Sequence, residues 1–319
     1  MKTIITLTMN PAIDKSAIVA QVIVERKLYC HSPRFEPGGG GINVSRAIRK
    51  LGGESTALFP CGGPTGDYLL DLLRQEGLDC RSIPVIGWTR ENLVVLEESS
   101  GLQYRFGMPG SPLSESEWRN CLDAVVGANR NPDYIVASGS LPTGMPENFY
   151  ALVARIGKGL GARVIVDTSG NSLRQALQEG VYLIKPNIRE LGELVGKELV
   201  DETSQREIAM ELVRSGQCAV VALSLGAGGV LLATADGCLR LQTPLVPIKS
   251  KVGAGDSMVA GIVLSLARGN EVHDAVRFGV AAGAAAVMTP GSELCRREDA
   301  ERLYGQLIEE NAVIGSTMK

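Results

Sequence analysis

The sequence predicts an α/β fold with a mainly parallel sheet covered by helices on both faces, and three observations carry that prediction. Apolar, strand-prone runs recur at Ile4 to Thr8, Tyr134 to Ala137, Arg163 to Asp167, Tyr182 to Lys185 and Ala219 to Ser224. Segments with helical spacing are interspersed among them, at Asn43 to Leu51, Gly66 to Gln75, Pro146 to Ile156 and Gln205 to Arg214. The runs "YIVAS" and "AVVALS" are almost continuously apolar, as strands buried on both faces are.

The 319 residues are 45% hydrophobic and 21% charged, enough for a core that needs no metal or disulfide staple. A net charge of −3 with dispersed basic residues argues against a nucleic-acid binder, which concentrates positive charge. The start, Met1 to Asp14, is broken by Asn10 and Pro11 and does not read as a signal peptide. The apolar stretches Val259 to Ala267 and Phe278 to Met288 are too short to span a bilayer. Seven cysteines, an odd number without a C-x-x-C pair, read as free thiols of a reducing cytosol, so a cytoplasmic location is expected. His31 and His273 are the only histidines and stand in no metal-ligand spacing, which disfavours a zinc site or a Ser-His-Asp triad. Carboxylates, basic side chains and backbone are left to carry the chemistry.

Two regions interrupt the rhythm. Asn92 to Glu97 and Gln103 to Gly107 flank "ESSG" and read as an antiparallel hairpin. Ala17 to Phe35 is strand-prone and lacks helical period. Together, from about 17–35 and 88–107, they are expected to form a small β-sheet beside a single domain spanning 1–319, as a lid or a dimer surface.

Four segments could carry function. Val252-Gly253-Ala254-Gly255-Asp256-Ser257 precedes an apolar run that ends at Arg268-Gly269. Small residues ahead of a helix let backbone approach a ligand, and the free N–H groups there favour a phosphate. Asp256 then suits a general base, or alternatively caps a plain turn. The run Gly38-Gly39-Gly40-Gly41-Ile42-Asn43 leads toward a helix over Val44 to Leu51 and reads as close backbone approach to a polar ligand, with Asn43 as donor and acceptor, or as a flexible capped loop. Lys185-Pro186-Asn187 with Glu190 closes a strand and opens a helix, where ligands bind in α/β sheets. Asn187 and Glu190 could orient a metal-bound phosphate through water, or form only a capping box. Ser224 to Gly229 is a second glycine-rich turn after a strand, able to pack on a nucleotide or merely to connect strands. Arg90, Arg105 and Lys27 fall in the β-like regions, and singly each reads as a solvated charge.

In this order, "TLTMNPAIDKS", "EPGGGGINVSRAIRKLGG", "TRENLVV", "SGSLPTG", "KPNIREL", "SLGAGG" and "VGAGDSM" resemble the phosphofructokinase B branch of the ribokinase-like sugar kinases, from about Thr6 to the C-terminal helices. The resemblance implies a ribokinase-like three-layer α/β/α core with a small β-sheet lid that often forms a dimer contact. It implies Asp256 as catalytic base and Gly253, Ala254 and Gly255 as the anion hole. Asp14, Gly38, Gly39, Asn43 and Ser138 would hold the sugar, and Arg90 and Arg105, with Lys27 of a partner subunit, its phosphate. Lys185, Asn187, Ser224, Gly226 and Gly229 would line the ATP site, and Glu190 would position Mg²⁺ through water. In relatives the loop around Ser250 and Val252, with the segment Thr289 to Glu293, can hold K⁺. An Asp common ahead of the G-A-G-D element in relatives is absent here, where Ser250-Lys251-Val252 stands, which weakens that implication.

The 1-phosphofructokinase and tagatose-6-phosphate kinase branches usually carry a lysine in the glycine run, where this chain has Gly40. The segment "QYRFGMPGSPLSE" is similar to the minor, non-classical 6-phosphofructokinases rather than to the "NEPGP" form of those branches. Fructose 6-phosphate is therefore the expected acceptor and ATP the donor. The alternatives are a kinase of those two branches and, further off, a non-catalytic sugar- or nucleotide-binding protein.

Overall fold

The computed structural model describes residues 2–128 and 131–317. Among these, the strands are β1 (Ile4–Leu7), β2 (Ala12–Val19), β3 (His31–Gly38), β4 (Thr56–Cys61), β5 (Asp79–Pro84), β6 (Arg90–Glu97), β7 (Gln103–Phe106), β8 (Tyr134–Ser138), β9 (Arg163–Asp167), β10 (Val181–Ile184), β11 (Cys218–Ser224), β12 (Val230–Thr234) and β13 (Gly237–Leu241). The helices are α1 (Gly40–Lys50), α2 (Gly63–Gln75), α3 (Glu115–Val126), α4 (Phe149–Leu160), α5 (Gly170–Gln178), α6 (Ile188–Val195), α7 (Glu202–Arg214), α8 (Ala254–Ala267), α9 (Val272–Val287) and α10 (Arg297–Thr317).

A nine-stranded sheet runs in the order β13-β12-β11-β10-β9-β8-β1-β4-β5. It is parallel from β11 to β5, and β12 and β13 continue it antiparallel at one edge. The side-chain period of two assigns each strand's residues to opposite faces. Ile4, Tyr134, Val136, Ile165 and Leu183 meet Val44, Val259, Val263, Ala281 and Leu303 of α1, α8, α9 and α10. Ile5, Leu7, Ile135 and Ala137 meet Cys121, Phe149, Val153, Leu173, Leu191 and Leu212 of α3 to α7. Both faces of the central strands are thus dry, which is why those strands read as unbroken apolar runs and why the core has three layers. No helix among the described residues is long and apolar enough to cross a membrane.

The second sheet has four strands in the order β3-β2-β6-β7, with β2 and β6 parallel and the other pairs antiparallel. It is the small β element expected beside the core, and the hairpin at β6 and β7 lies where it was expected. Its first strand differs. β2 begins at Ala12 and not near Ala17, and residues 20–30 run outside the sheet with Val24 and Tyr29 exposed. Val22, Ile23 and Val24 have strand propensity, but β2 ends at Val19, where its pairing with β6 stops, and they fall in the connection to β3.

Helix α1 also begins earlier than Val44. Gly40 and Gly41 form its first turn, and the N–H of Asn43 already donates to Gly39 O at 2.8 Å. The missing Cβ atoms allow this, because a Cβ on Gly40 would strike Ser138 and one on Gly41 would lie 2.6 Å from Leu7 O. The glycine run is thus a tightly packed helix start and not a flexible loop.

Helices α8 and α9 approach through the same device. A Cβ on Gly261 would lie 2.9 Å from Gly279 Cα and 3.0 Å from Ala282 Cβ. We expect Gly261→Val to lose roughly 1–3 kcal/mol by overpacking a backbone contact that cannot yield. Urea melts read this directly, and a midpoint equal to the wild type would show that the two helices can separate.

Candidate active site

Parallel strands end together, so the sheet delivers its functional residues to one edge. Ser138 at the end of β8 pairs in register with Asp167 at the end of β9. Lys185 follows β10, and Asn187 bridges to Ser224 at the end of β11. The N-termini of α1 and α8 are brought to the same edge. Thr8, just beyond β1, accepts the Ile42 N–H on its hydroxyl at 2.7 Å and so seats α1. Gly253, with φ of 73°, turns the chain into α8. The first intrahelical bond there is Ser257 N to Gly253 O at 2.9 Å, so the N–H groups of Ala254, Gly255 and Asp256 lie ahead of it and point outward.

The two helix starts meet at one hydrogen bond. Asn43 Nδ2 donates to Asp256 Oδ2 at 2.9 Å. Burial raises the Asp256 carboxyl to a pKa of about 6; Asp167 and Asp14 add to that rise, while the Asn43 bond and Lys185 oppose it. Lys185, largely buried, lies 3.3 Å from Asp167 and near enough to Asp256 to favour its ionised form. Burial alone disfavours its charge, but Asp167, Glu190 and Asp256 outweigh that and hold the ammonium above the ordinary lysine value. A Cβ on Gly255 would sit 3.3 Å from Lys185 Nζ, so the anion-facing turn rests on this lysine.

Between lid and core lies a cleft of about 400 Å³ whose wall includes Asp14, Arg90, Asn92 and Arg105. Gly38 presses on Asp14, where a Cβ would lie 2.5 Å from Oδ2, and Gly39 holds φ of 111°. Asn92 links the two ends of the cleft: its Nδ2 donates to Asp14 Oδ1 at 2.8 Å, and its Oδ1 accepts from Arg90 Nη1 at 3.2 Å. Arg90 donates further to Met108 O at 3.0 Å. Burial lowers the Arg90 pKa and Asp14 opposes the shift. Lys27 lies apart from this cleft in its own chain, on the exposed loop with Nζ 5.2 Å from the centre of the Tyr29 ring.

On the other side, Asn187 and Glu190 form a complete capping box. Asn187 Oδ1 accepts from Glu190 N and Glu190 Oε2 from Asn187 N, both at 2.9 Å. Ser224 Oγ donates to Pro186 O at 3.2 Å. Gly226 (φ 59°) and Gly229 (φ 87°) bracket a 3₁₀ turn, and a Cβ on Gly229 would strike Leu241 O. Ser138 is buried, with its hydroxyl 3.4 Å from Asp167 Oδ2. Ser250 is buried and its Oγ accepts from Val252 N at 3.2 Å. Among the described residues, no three or more His, Cys, Asp or Glu side chains gather as a metal cage. The carboxylate oxygens of Glu190 and Asp167 are of the kind a hard divalent cation takes, directly or through water.

Two residues of this site were not singled out from the sequence, Asp167 and Asn92. An Asp closing the predicted strand "RVIVD" was a visible signal, since strand carboxyl ends carry ligand sites. Asn92 lay inside the predicted hairpin and gave no signal of its own.

A helix start built to receive negative charge, a carboxylate in its first turn and a polar cleft under a lid suit phosphate transfer to a polar acceptor. The chain belongs to the pfkB family of carbohydrate kinases, which it matches over residues 7–299. It is 46% identical over 312 residues to the ATP-dependent 6-phosphofructokinase isozyme 2 of Mycobacterium tuberculosis H37Rv, covering 98% of this chain and 91% of that one. The fold matches Escherichia coli phosphofructokinase-2, solved in complex with potassium, with a TM-score of 0.93, 44% identity and coverage of 96% and 99%. The same Escherichia coli protein has been solved in complex with fructose-6-phosphate, with a TM-score of 0.91, 43% identity and the same coverage. The 1-phosphofructokinase of Borreliella burgdorferi stands further off, at 32% identity over 305 residues, 95% of this chain and 97% of that one.

The raised pKa of Asp256 has a thermodynamic consequence. A carboxyl that binds its proton more tightly when folded contributes stability that is present below about pH 4 and lost as pH rises through about 6. We expect Asp256→Asn to melt above the wild type at pH 8, with the difference shrinking toward pH 4. Equal melting temperatures at pH 8 would show that the folded state bears no cost for this charge.

Proposed function

We propose that this chain transfers the γ-phosphoryl group of ATP to the 1-hydroxyl of fructose 6-phosphate, releasing ADP and fructose 1,6-bisphosphate. The observation that carries the reading is the position of Asp256 in the first turn of α8, bonded to Asn43 and near enough to feel the charge of Asp14, which lines the cleft with Arg90 and Arg105. A carboxylate there can take the hydroxyl proton as the oxygen attacks, and a pKa near 6 leaves it ionised at neutral pH. The N–H groups of Ala254, Gly255 and Asp256 face the charge that builds on the moving phosphoryl group.

Asp14 and Asn43 orient the sugar, and Arg90 with Arg105 grips its phosphate at the far end. Holding that remote phosphate places the acceptor hydroxyl at the base, which converts binding energy into orientation. Lys185, Asn187, Ser224, Gly226 and Gly229 line the nucleotide side. Mg²⁺, bound with ATP and oriented by Glu190 and Asp167 through water, would offset phosphate charge. The Ser250 and Val252 segment with the loop 289–294 offers carbonyl and hydroxyl oxygens suited to K⁺.

The absence of a side chain at residue 40 favours this acceptor over those of the lysine-bearing branches, since Gly40 packs directly on Ser138 and Gly139. The exposed apolar residues on the lid sheet and its connecting loop, Phe35, Phe106, Val24 and Tyr29, support self-association on that side of the molecule. Such pairing would bring Lys27 to a partner's cleft.

ADP release with Mg-ATP and each of fructose 6-phosphate, tagatose 6-phosphate and fructose 1-phosphate tests the acceptor. We expect the highest kcat/KM with the first, and a clear preference for another would overturn the substrate assignment. Asp256→Asn should lower kcat at least ~100-fold while the fold is kept. Arg90→Ala should raise KM for the sugar phosphate by roughly 10–100-fold, the loss of a charged hydrogen bond, and unchanged KM would remove Arg90 from the phosphate site.

A further inference from the structure

We propose that Arg46 is a positioning residue for phosphoryl transfer: from inside α1 it holds the Asn43 amide with its nitrogen toward Asp256, and it ties the root of the lid and the loop 289–294 to the same guanidinium. Arg46 is only 2% exposed. Its Nη1 lies 2.9 Å from Pro37 O, 3.3 Å from Asn43 Oδ1 and 3.3 Å from Ser292 O. Its Nε and Nη2 form a paired contact with Glu76, at 2.8 and 2.7 Å.

Each partner sits on a different piece of the machinery. Pro37 belongs to β3, the lid strand that runs into α1. Ser292 belongs to the loop whose Oγ and N–H also donate to Glu36 of the lid, at 2.8 and 3.3 Å. Asn43 holds the general base. An arginine has donors and no acceptor, so the amide atom that faces Arg46 must be Oδ1. Nδ2 is then left to face Asp256, as observed at 2.9 Å.

Stability alone gives a poor reason for this arrangement. A buried ion pair is often replaced by apolar side chains at no loss, whereas a planar fork that spans three acceptors and a carboxylate cannot be replaced by lysine. The geometry therefore points to orientation as the task of Arg46.

This inference rests on Asp256 as the base, and the two are tested separately. The readout is the acidic limb of kcat/KM against pH, together with thermal melts. The charged groups facing Asp256 are Asp14 from β2, Asp167 from β9 and Lys185 after β10, and the substitutions leave all three in place. Without Arg46 the Asn43 amide is free to turn its oxygen toward Asp256, so in Arg46→Lys we expect the limb to move up by roughly 0.5–1 pH unit, the worth of one hydrogen bond. On an Asn43→Ala background the same change should add nothing. An unmoved limb, or a shift that persists without Asn43, overturns the proposal. If Arg46→Lys does not fold, Glu76→Gln loosens the guanidinium from its surface side; a smaller upward shift is expected there, and a wild-type limb overturns the proposal. Near-normal turnover in Asp256→Asn would instead remove the base assignment itself.

Discussion

The hydrogen bond from Asn43 to Asp256 joins the first turns of two helices that lie 213 positions apart in sequence. It forms only if both turns reach the same point above the sheet, and much of the fold serves that condition. Thr8 seats α1 from the end of β1, and the missing side chains at Gly40 and Gly41 let it sink onto β8 and β1. Gly261 and Gly279 let α8 and α9 pack backbone to backbone, which sets the height at which α8 begins. In the first turn of α1 and at Gly261 within α8, glycine is kept despite its poor helix propensity, because close approach outweighs propensity there.

Bringing Asp256 to that point sets two electrostatic demands against each other. Burial and the nearby carboxylates of Asp167 and Asp14 favour the protonated form, while Asn43 and Lys185 favour the ionised one. The outcome, a pKa near 6, makes the carboxylate a tighter proton acceptor than an exposed aspartate while leaving it mostly charged at neutral pH. Lys185 holds this balance. Its own charge survives burial because it is shared among Asp167, Glu190 and Asp256. Asp167, Glu190 and Asp256 are therefore coupled through one ammonium, and a change at any of them reaches the other two.

The three-layer core was legible because strands dry on both faces leave an unmistakable apolar run, as at Tyr134 to Ala137. The G-A-G-D turn and the glycine run were legible because such residues in such a place have few structural uses. What was not legible depends on long-range packing. Nothing local says that Gly40 is helical, since the reason lies with Ser138, nearly a hundred positions further along the chain. Residues 20–30 carry strand-forming side chains and still leave the sheet, because they form the connection that turns the chain from β2 back to β3. Asn92 matters only through Asp14 and Arg90, which a reading of one strand at a time does not bring together.

The lid shows how the same physics serves binding. Its strands are anchored at both ends of the site: β2 carries Asp14 and follows β1 after a short turn, and β3 runs through Gly38 directly into α1. Arg90 and Asn92 enter on β6, which pairs with β2 in parallel register so that Asn92 stands beside Asp14. The cleft is therefore built across two strands whose spacing the sheet itself sets, and no loop has to be ordered to place Asp14 against Arg90. Pro37 and Gly38 form one of the links between lid and core, and Arg46 holds that link at the Pro37 carbonyl. One guanidinium thus touches both the root of the lid at Pro37 and the amide of Asn43 that bonds Asp256, so the lid and the start of α8 are joined by a short chain of hydrogen bonds as well as by the backbone.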